Sequence, residues 1–387
     1  MSKNDQSHFE TYTPQNRIKH EILGKYFSAY MRALGRSANA YHYVDGFAGP
    51  GLYEGKIPGS PLIALAILSK QSLPWTVSFV EADGKLFSQL VGAILKHPAT
   101  EKMFEPPILK KGEFAQFVDG VLSRAIYTKF NKVATFAFID PCGASGMHMR
   151  DVARLMSQDY GECLLFWNYD GINRWLGGVA AGSHDISGVV DLFGNEALVR
   201  TALQICERAP PDKERRIRDI FIKAVTDYSG AGFVLPFRFQ AKGAEKTSHY
   251  LVHCSGHSLA FKIMKDVMDG ASSSDEGTFE FLSDADTNYQ LGIFRPHIDS
   301  TRAEILNRLK HGITAVRVFT DEWVRRPHDL ISSNGYKRIL LDLEEHGEIE
   351  VLDKTGTEKK PRDKRRKHEG TPTLGADCML RYVRSIH

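Results

Sequence analysis

The segment at residues 41–55, Tyr-His-Tyr-Val-Asp-Gly-Phe-Ala-Gly-Pro-Gly-Leu-Tyr-Glu-Gly, constrains the fold of this chain more than any other stretch. Residues 41–44 are β-branched or aromatic for the most part and predict a short strand. Asp45 ends that strand, and a loop with three glycines follows, in which the backbone can take positive φ and approach a ligand closely. Open α/β sheets bind nucleotide-like ligands at such a strand–loop–helix junction. The segment therefore predicts an α/β fold with a ligand at the end of its first strand.

The order of acid and glycines indicates which ligand this loop suits. Asp45 precedes the glycines, and their spacing, Gly-x-x-Gly-x-Gly, differs from the pyrophosphate-binding pattern of dinucleotide folds. A carboxylate in that place favours a cofactor with a cationic end, and S-adenosylmethionine carries an ammonium and a sulfonium. The alternative is an ordinary glycine-rich turn. The predicted cofactor-binding residues of the loop are Asp45, Gly46, Phe47, Ala48, Gly49 and Gly51.

Strands and helices alternate through the first 270 residues, as in a doubly wound α/β fold. Further strands are predicted at 76–80, 134–139 and 163–167, and the unbroken apolar run at 134–139 is typical of a strand buried on both faces. Late strands at 233–239 and 249–254 predict an antiparallel hairpin at the edge of the sheet. Ser60 and Pro61 predict the N-cap and first residue of a helix over 62–68.

Acidic residues after later strands extend the predicted cofactor site. Glu81 closes the strand at 76–80, where a carboxylate can accept both ribose hydroxyls. Its alternative role is a solvated charge at a strand end. Glu113 and Phe114 would meet the adenine amino group and ring, unless they form only a surface turn.

Composition sets the outer limits of the interpretation. The 387 residues are enough for two domains, and no run approaches the roughly 18 apolar residues of a membrane span. The first 20 residues are polar, which argues against a signal peptide. The five cysteines are scattered and never spaced as Cys-x-x-Cys, so we expect no structural metal site and a reducing, cytoplasmic location.

The C-terminal part differs in pattern and charge. Residues 1–300 carry 32 Lys+Arg against 33 Asp+Glu, whereas residues 301–387 carry 18 against 14. Amphipathic helical stretches near 301–310, 314–325 and 333–346, then strands at 349–352 and 379–383, predict a winged helix-turn-helix. We therefore predict domains at 1–298 and 299–387, with residues 269–276 as a flexible loop. A local positive field favours nucleic acid, with protein contact as the alternative. The predicted nucleic-acid residues are Asn334, Lys337, Arg338, Lys359, Lys360, Arg362, Lys364, Arg365, Arg366 and Lys367.

Four stretches together resemble the three-Cys-motif partner (TcmP) family: residues 43–53, 59–65, 136–143 and 249–255. The resemblance covers most of residues 15–270, and the tail is similar to the winged helix of many relatives. It implies a Rossmann-like class I methyltransferase sheet with a C-terminal winged helix-turn-helix domain, and a three-Cys-motif protein partner in a bacterial or mobile-element gene pair. A more distant similarity is to ribosomal RNA adenine-N6 methyltransferases, which share the Asp-x-x-x-Gly-x-Gly-x-Tyr loop.

The second similarity gives Asp140 and Pro141 their predicted catalytic roles, and the position after a strand gives Asn168 its own. In amino methyltransferases an Asp-Pro-Pro-Tyr motif holds the target nitrogen and stacks its aromatic residue on a flipped base. Here Gly143 stands in the aromatic position, so Trp167 would have to stack instead, or Asp140 only shapes the cofactor pocket. Asn168 follows the strand at 163–167, where it either contacts substrate or caps a helix. Two functions result: a methyltransferase acting on nucleic acid, or a diverged accessory protein that binds nucleic acid and a partner.

Overall fold

The computed structural model describes residues 12–54, 56–141, 143, 146–240, 247–272, 280–281, 295–327, 329–368 and 371–383. Its contacts divide the chain into two units, Met1–Phe261 with Glu280–Ser283, and Lys262–Phe279 with Asp284–His387. Each unit is described by itself. The domain boundary expected after residue 298 stays a prediction.

A large mixed sheet forms the first unit. Its strands, with a small hairpin inside the glycine loop, are β1 (Ala40–Asp45), β2 (Leu52–Tyr53), β3 (Ile57–Pro58), β4 (Trp75–Glu81), β5 (Ile108–Lys111), β6 (Val133–Ile139), β7 (Glu162–Trp167), β8 (Phe233–Gln240), β9 (Thr247–Ser255) and β10 (Glu280–Phe281). The order across the sheet is β10-β8-β9-β7-β6-β1-β4-β5, and β2 pairs only with β3. Residues in β1, β4, β6 and β7 are buried throughout, as expected for strands covered on both faces.

The pairing confirms a Rossmann-like α/β fold. Strands β5, β4, β1, β6 and β7 are parallel, and the chain order reverses on the two sides of β1. Such a reversal is the point where open α/β sheets bind ligands, outside the carboxyl ends of the strands. The late strands β8 and β9 pair antiparallel, as expected. Strand β9 lies between β7 and β8 and is antiparallel to both, and β8 lies nearer the edge that β10 forms.

Helices flank this sheet. They are α1 (Pro14–Leu34), α2 (Ser60–Leu68), α3 (Gly84–Leu95), α4 (Val118–Leu122), α5 (Ala125–Lys129), α6 (Met149–Met156), α7 (Tyr169–Ala180), α8 (Ser187–Phe193), α9 (Glu196–Arg208), α10 (Lys213–Ser229) and α11 (Ser258–Ala271). Between β5 and β6, a 3₁₀ turn at Phe114–Gln116 is followed by α4 and α5. Across the described ranges, no helix is both long and apolar enough to cross a membrane.

Helix α1 is fixed to the sheet by a buried polar contact as well as by apolar packing. The Tyr26 hydroxyl donates to Glu162 at the start of β7, and Glu162 also contacts His253 Nε2 at 3.1 Å and Ser255 Oγ at 3.1 Å. Burial leaves none of these groups to water, so each depends on the others for its hydrogen bonds. This network places α1 firmly over β6 and β7.

The second unit is a small helical bundle with a three-stranded sheet. It contains the end of α11 from Lys262, then α12 (Arg295–Lys310), β11 (Thr314–Ala315), α13 (Ser333–Glu345), β12 (Ile349–Leu352), β13 (Lys367–His368), β14 (Thr371–Pro372) and β15 (Met379–Tyr382). The sheet order is β11-β15-β12. The stretch expected as a helix over 314–325 is β11 followed by π and 3₁₀ turns at Val318–Glu322 and Trp323–Arg325. Helix α11 runs to Ala271, so Asp269 is helical rather than in a loop, and residues 273–279 lie outside the described residues.

Candidate functional site

Three carboxyl groups meet at the carboxyl edge of the central strands. Asp45 ends β1, Glu81 ends β4, and Asp140 directly follows β6. The register pairs Asp45 with Phe79 on one side and with Phe138 on the other. Because β1 lies between β4 and β6, the sheet brings together the acids that the sequence had placed after three separate strands.

Asp45 is fully buried and forms no ion pair with a cation among the described residues. Its carboxylate accepts from the Phe47 backbone N–H at 3.2 Å and from the Tyr43 hydroxyl at 3.4 Å. Ser60 also donates to it, which is a correction, because Gly59 rather than Ser60 is the N-cap of α2. Burial raises the pKa of Asp45 to about 7, against the lowering effect of the Ser60 and Phe47 hydrogen bonds. Asp140 and Glu81 raise it further by repulsion.

The glycine loop wraps this edge closely. A Cβ on Gly46 would lie 2.9 Å from Phe114 Cγ, so only glycine fits there. Two hydrogen bonds hold the loop to the end of β4. The Ala48 N–H donates to the Val80 carbonyl at 2.9 Å, and the Gly49 N–H donates to Glu81 Oε2 at 2.8 Å. Gly49 and Gly51 have φ values of +61° and +79°, which explains why glycines occupy both positions.

Glu81 and Phe114 are buried beside the glycine loop, whereas Glu113 is exposed. Glu81 is buried and accepts from the backbone N–H groups of Gly49 and Asp83, both at 2.8 Å. Burial raises the pKa of Glu81, and those N–H groups oppose the rise. Phe114 is buried beside Phe47, with ring centroids 6.4 Å apart. Glu113 is exposed, and no hydrogen bond of its side chain is described.

Asp140 has a partner that the sequence did not predict. The Lys19 ammonium lies 2.5 Å from Asp140 Oδ2, with the two side chains 5% and 16% exposed. The same ammonium lies 4.3 Å from the centroid of the Phe166 ring, so both an ion pair and a cation–π contact fix its position. Lys19 belongs to α1, where it and its neighbour His20 are both buried.

The other predicted catalytic positions have mostly structural contacts. Asn168 caps α7, because its side-chain oxygen accepts from the Gly171 N–H at 2.9 Å. Trp167 is buried and stacks on Phe221 at 4.2 Å, so it cannot stack on a substrate base. Pro141 is buried next to Asp140, and Cys142 lies outside the described residues. Gly143 has φ +124° and open space around its Cβ position.

Among the predicted nucleic-acid residues, several are already paired within the second unit. Arg338 lies 2.9 Å from Asp269, and Arg362 lies 3.2 Å from Glu345. The remaining contacts are Lys359 with Glu350, Lys360 with Cys378 Sγ at 3.7 Å, and Arg365 with Glu344 at 2.5 Å.

Burial separates these residues further. The side chain of Arg365 is 1% exposed, so its place in the unit is structural. Asn334 is exposed and Lys337 is half-buried on α13. Lys364, Arg366 and Lys367 are exposed, and no carboxylate in the described part of the chain pairs with them.

Neither a family model nor a curated protein matches this sequence. Solved structures with a distant likeness include O-methyltransferases and a chitinase from Chromobacterium violaceum. The enzyme TomG from Streptomyces achromogenes, involved in tomaymycin synthesis and crystallised with SAM, is 11% identical over 62% of this chain and 80% of its own. An O-methyltransferase from Bacillus cereus with SAH is 10% identical over 66% and 92%, and a putative one from Klebsiella pneumoniae is 10% identical over 60% and 80%. All three have a TM-score of 0.29, which is too low to carry an argument.

Proposed function

We propose that this protein is an S-adenosylmethionine-dependent methyltransferase that acts on nucleic acid. The observation that carries the proposal is Asp45, a buried carboxyl at the switch point of the sheet that no described cation neutralises. A buried charge needs a partner, and a ligand with a cationic group is the simplest one. The ammonium of S-adenosylmethionine fits this requirement, and Glu81 supports the same cofactor through its two carboxylate oxygens.

The sheet favours this cofactor over a dinucleotide. The antiparallel β9, inserted between β7 and β8, is the arrangement of class I methyltransferase sheets rather than of all-parallel dinucleotide-binding ones. The acid before the glycines agrees with it, because a dinucleotide pyrophosphate would be repelled by Asp45.

Asp140 supports the transfer step. Lys19 engages Asp140 Oδ2, and the other oxygen remains able to accept a hydrogen bond from a substrate N–H. Asp140 directly follows β6, beside the end of β1 where Asp45 lies, so a substrate amine held by Asp140 would lie at the same edge of the sheet as the proposed cofactor. Bringing the two reactants together is how such a site would accelerate an otherwise bimolecular reaction.

The second unit supports nucleic acid as the substrate class. The order α12, β11, α13, β12 and β15 supports a winged-helix interpretation, in which α13 would be the helix that enters a groove. Lys364, Arg366 and Lys367 form an exposed group of cations with no described carboxylate partner. Cations of this kind bind phosphates and release counterions, which gives affinity without base specificity.

Calorimetry and methyl transfer test this function together. The full chain is titrated with S-adenosylmethionine and then incubated with labelled cofactor and total DNA or RNA. We expect binding, and label transfer that Asp140→Ala abolishes while nucleic-acid affinity is kept. If the protein binds no cofactor at millimolar concentration, the methyltransferase proposal is refuted. If Asp140→Ala transfers as much label as the wild type, Asp140 does not take part in the transfer.

A second candidate is a diverged accessory protein that binds nucleic acid and a three-Cys-motif partner. Gly143 and Trp167 favour this candidate, because neither can stack on a substrate base. Gly143 has no aromatic ring, and Trp167 is packed against Phe221 in the core. Cofactor binding without transfer to any acceptor, together with a stable complex with such a partner, would select this candidate.

A further inference from the structure

The second half of α11 carries a charged face that lies against the start of α13. Lys262, Lys265, Asp266 and Asp269 are spaced to share one side of the helix. Lys265 is fully buried and donates to the Asp329 carbonyl at 2.6 Å, while Asp269 is 4% exposed. Charged side chains with so little exposure belong to a packed contact and not to a chance approach of two surfaces.

Two aspartates of this face use donors at the beginning of α13. Asp266 accepts from the Ser333 backbone N–H at 2.8 Å. The single hydrogen of the Ser333 hydroxyl is directed to Asp266 or to the Thr320 carbonyl, each 3.0 Å away. Asp269 accepts from Arg338 at 2.9 Å. We call Asp266 and Asp269 the acidic pair. Together they fill the first turn and a half of the helix that the sequence assigned to nucleic acid.

These donors are the ones that proteins use for a phosphate backbone. Backbone N–H groups at a helix start, hydroxyl groups and guanidinium groups make most phosphate contacts in complexes with nucleic acid. The acidic pair therefore presents anionic oxygens where phosphate oxygens would otherwise lie. Asn334 is exposed and Lys337 half-buried in the same turns, so the surface is only partly covered.

We propose that the acidic pair of α11 competes within the molecule with nucleic-acid phosphates for Ser333 and Arg338 of α13. The inference rests on the proposed binding of nucleic acid. In this scheme Lys364, Arg366 and Lys367 make the first contact, and α13 engages only when the acidic pair is displaced. A carboxylate and a phosphate cannot share the same donors, so each bound nucleic acid must overcome this contact.

The test replaces the charge but keeps the shape. In Asp266→Asn with Asp269→Asn, the asparagine oxygen can still accept from the Ser333 N–H, so the unit is expected to stay folded. Affinity for a short mixed-sequence DNA or RNA duplex is measured by fluorescence anisotropy over a salt series. We expect binding to tighten about 5- to 20-fold and the salt slope to steepen by about one, the value for one added cation–phosphate contact.

A matched control separates competition from net charge. Asp299→Asn with Glu322→Gln removes the same charge from exposed positions of this unit that make no described ion pair. Arg338→Ala gives the second readout: it should weaken binding by less than about twofold in the wild type but cancel the gain in the acidic-pair variant. A gain no larger than the control's, or an equal effect of Arg338→Ala in both backgrounds, would overturn the proposal.

The outcomes distinguish this inference from the function on which it rests. If Lys364→Ala, Arg366→Ala and Lys367→Ala weaken binding in every background while the acidic pair has no effect, nucleic-acid binding stands and the competition fails. If no variant binds even at low salt, both fail. If the double variant unfolds at a lower temperature than the wild type, the single variant Asp269→Asn, which frees Arg338, replaces the double variant in the same affinity comparison.

Discussion

Replacing Asp45 by asparagine should stabilise the ligand-free protein and weaken the cofactor at the same time. Burial raises the pKa of Asp45 from 3.8 to about 7. A carboxyl group with a raised pKa contributes stability that is complete below its unfolded pKa and is lost as the pH rises through its folded pKa. At pH 8 the folded protein therefore carries the full cost of ionising Asp45, with an upper limit of about 4 kcal/mol.

Asparagine removes that cost but introduces an amide N–H₂ that also needs partners. We therefore expect Asp45→Asn to raise the free energy of unfolding at pH 8 by about 1–3 kcal/mol, and to have little effect near pH 4. Urea unfolding at both pH values measures the difference. Glu101→Gln removes an exposed carboxylate and should change neither value by more than about 0.5 kcal/mol.

The cofactor should respond in the opposite direction. The cationic ammonium selects the ionised form of Asp45, so wild-type affinity should fall as the pH drops below 7, by up to about tenfold per unit. Asp45→Asn should cost about 1.5–3 kcal/mol of binding at pH 7.5 and remove this pH dependence. Calorimetry between pH 5.5 and 7.5 follows both effects. If the variant is less stable at pH 8, or binds with an unchanged pH profile, Asp45 is not the group that the cofactor ammonium meets.

Three further outcomes follow from particular contacts. Asp140→Asn would leave the charge of Lys19 unbalanced, so the affinity for cationic S-adenosylmethionine should fall about three- to tenfold relative to the affinity for its demethylated product, which lacks the sulfonium charge. Lys19→Met should shift this ratio of affinities the other way. Competition calorimetry with both ligands measures the ratio, and a constant ratio in both variants would contradict the prediction. Gly46→Ala forces a Cβ against Phe114 and should destabilise the protein by about 1–3 kcal/mol in urea unfolding, whereas an unchanged midpoint would mean that the loop relaxes freely. Burial lowers the pKa of Lys265 to about 8, so the free energy of unfolding should rise between pH 8 and 10.5 relative to Lys265→Met; parallel pH curves for the two proteins would argue against it.

The sequence predicts most of the sheet because its signals are local. Apolar runs, breaks at glycine and acids at strand ends are enough to locate Asp45, Glu81 and Asp140 at one edge of a parallel sheet. Contacts between distant residues left no such signal. Lys19 and Asp140 are 121 residues apart, and no sequence pattern around either residue indicates that the two side chains meet.

The same limit explains the errors on single side chains. Ser60 has the composition of an N-cap, but the position of β1 makes its hydroxyl a partner of Asp45. Arg365 looks like its neighbours in a basic run, and only the packing of Glu344 against it shows that it is buried. Asp269 of the acidic pair lies in the last turn of α11, where the sequence favoured a loop, because three serines at 272–274 obscure the end of the helix.

The position of Lys19 also determines when the site can exist during synthesis. Helix α1 leaves the ribosome before β6 and β7, and the ammonium of its Lys19 has no partner until Asp140 and Phe166 have been made. At about 5–20 residues per second, many seconds separate these events. During that interval the nascent chain carries a lysine and a tyrosine, Tyr26, with their eventual partners still unmade. The carboxyl edge of the sheet is thus completed late, after β7 joins it, although seven of the nine predicted cofactor-binding residues lie within the first 81 positions.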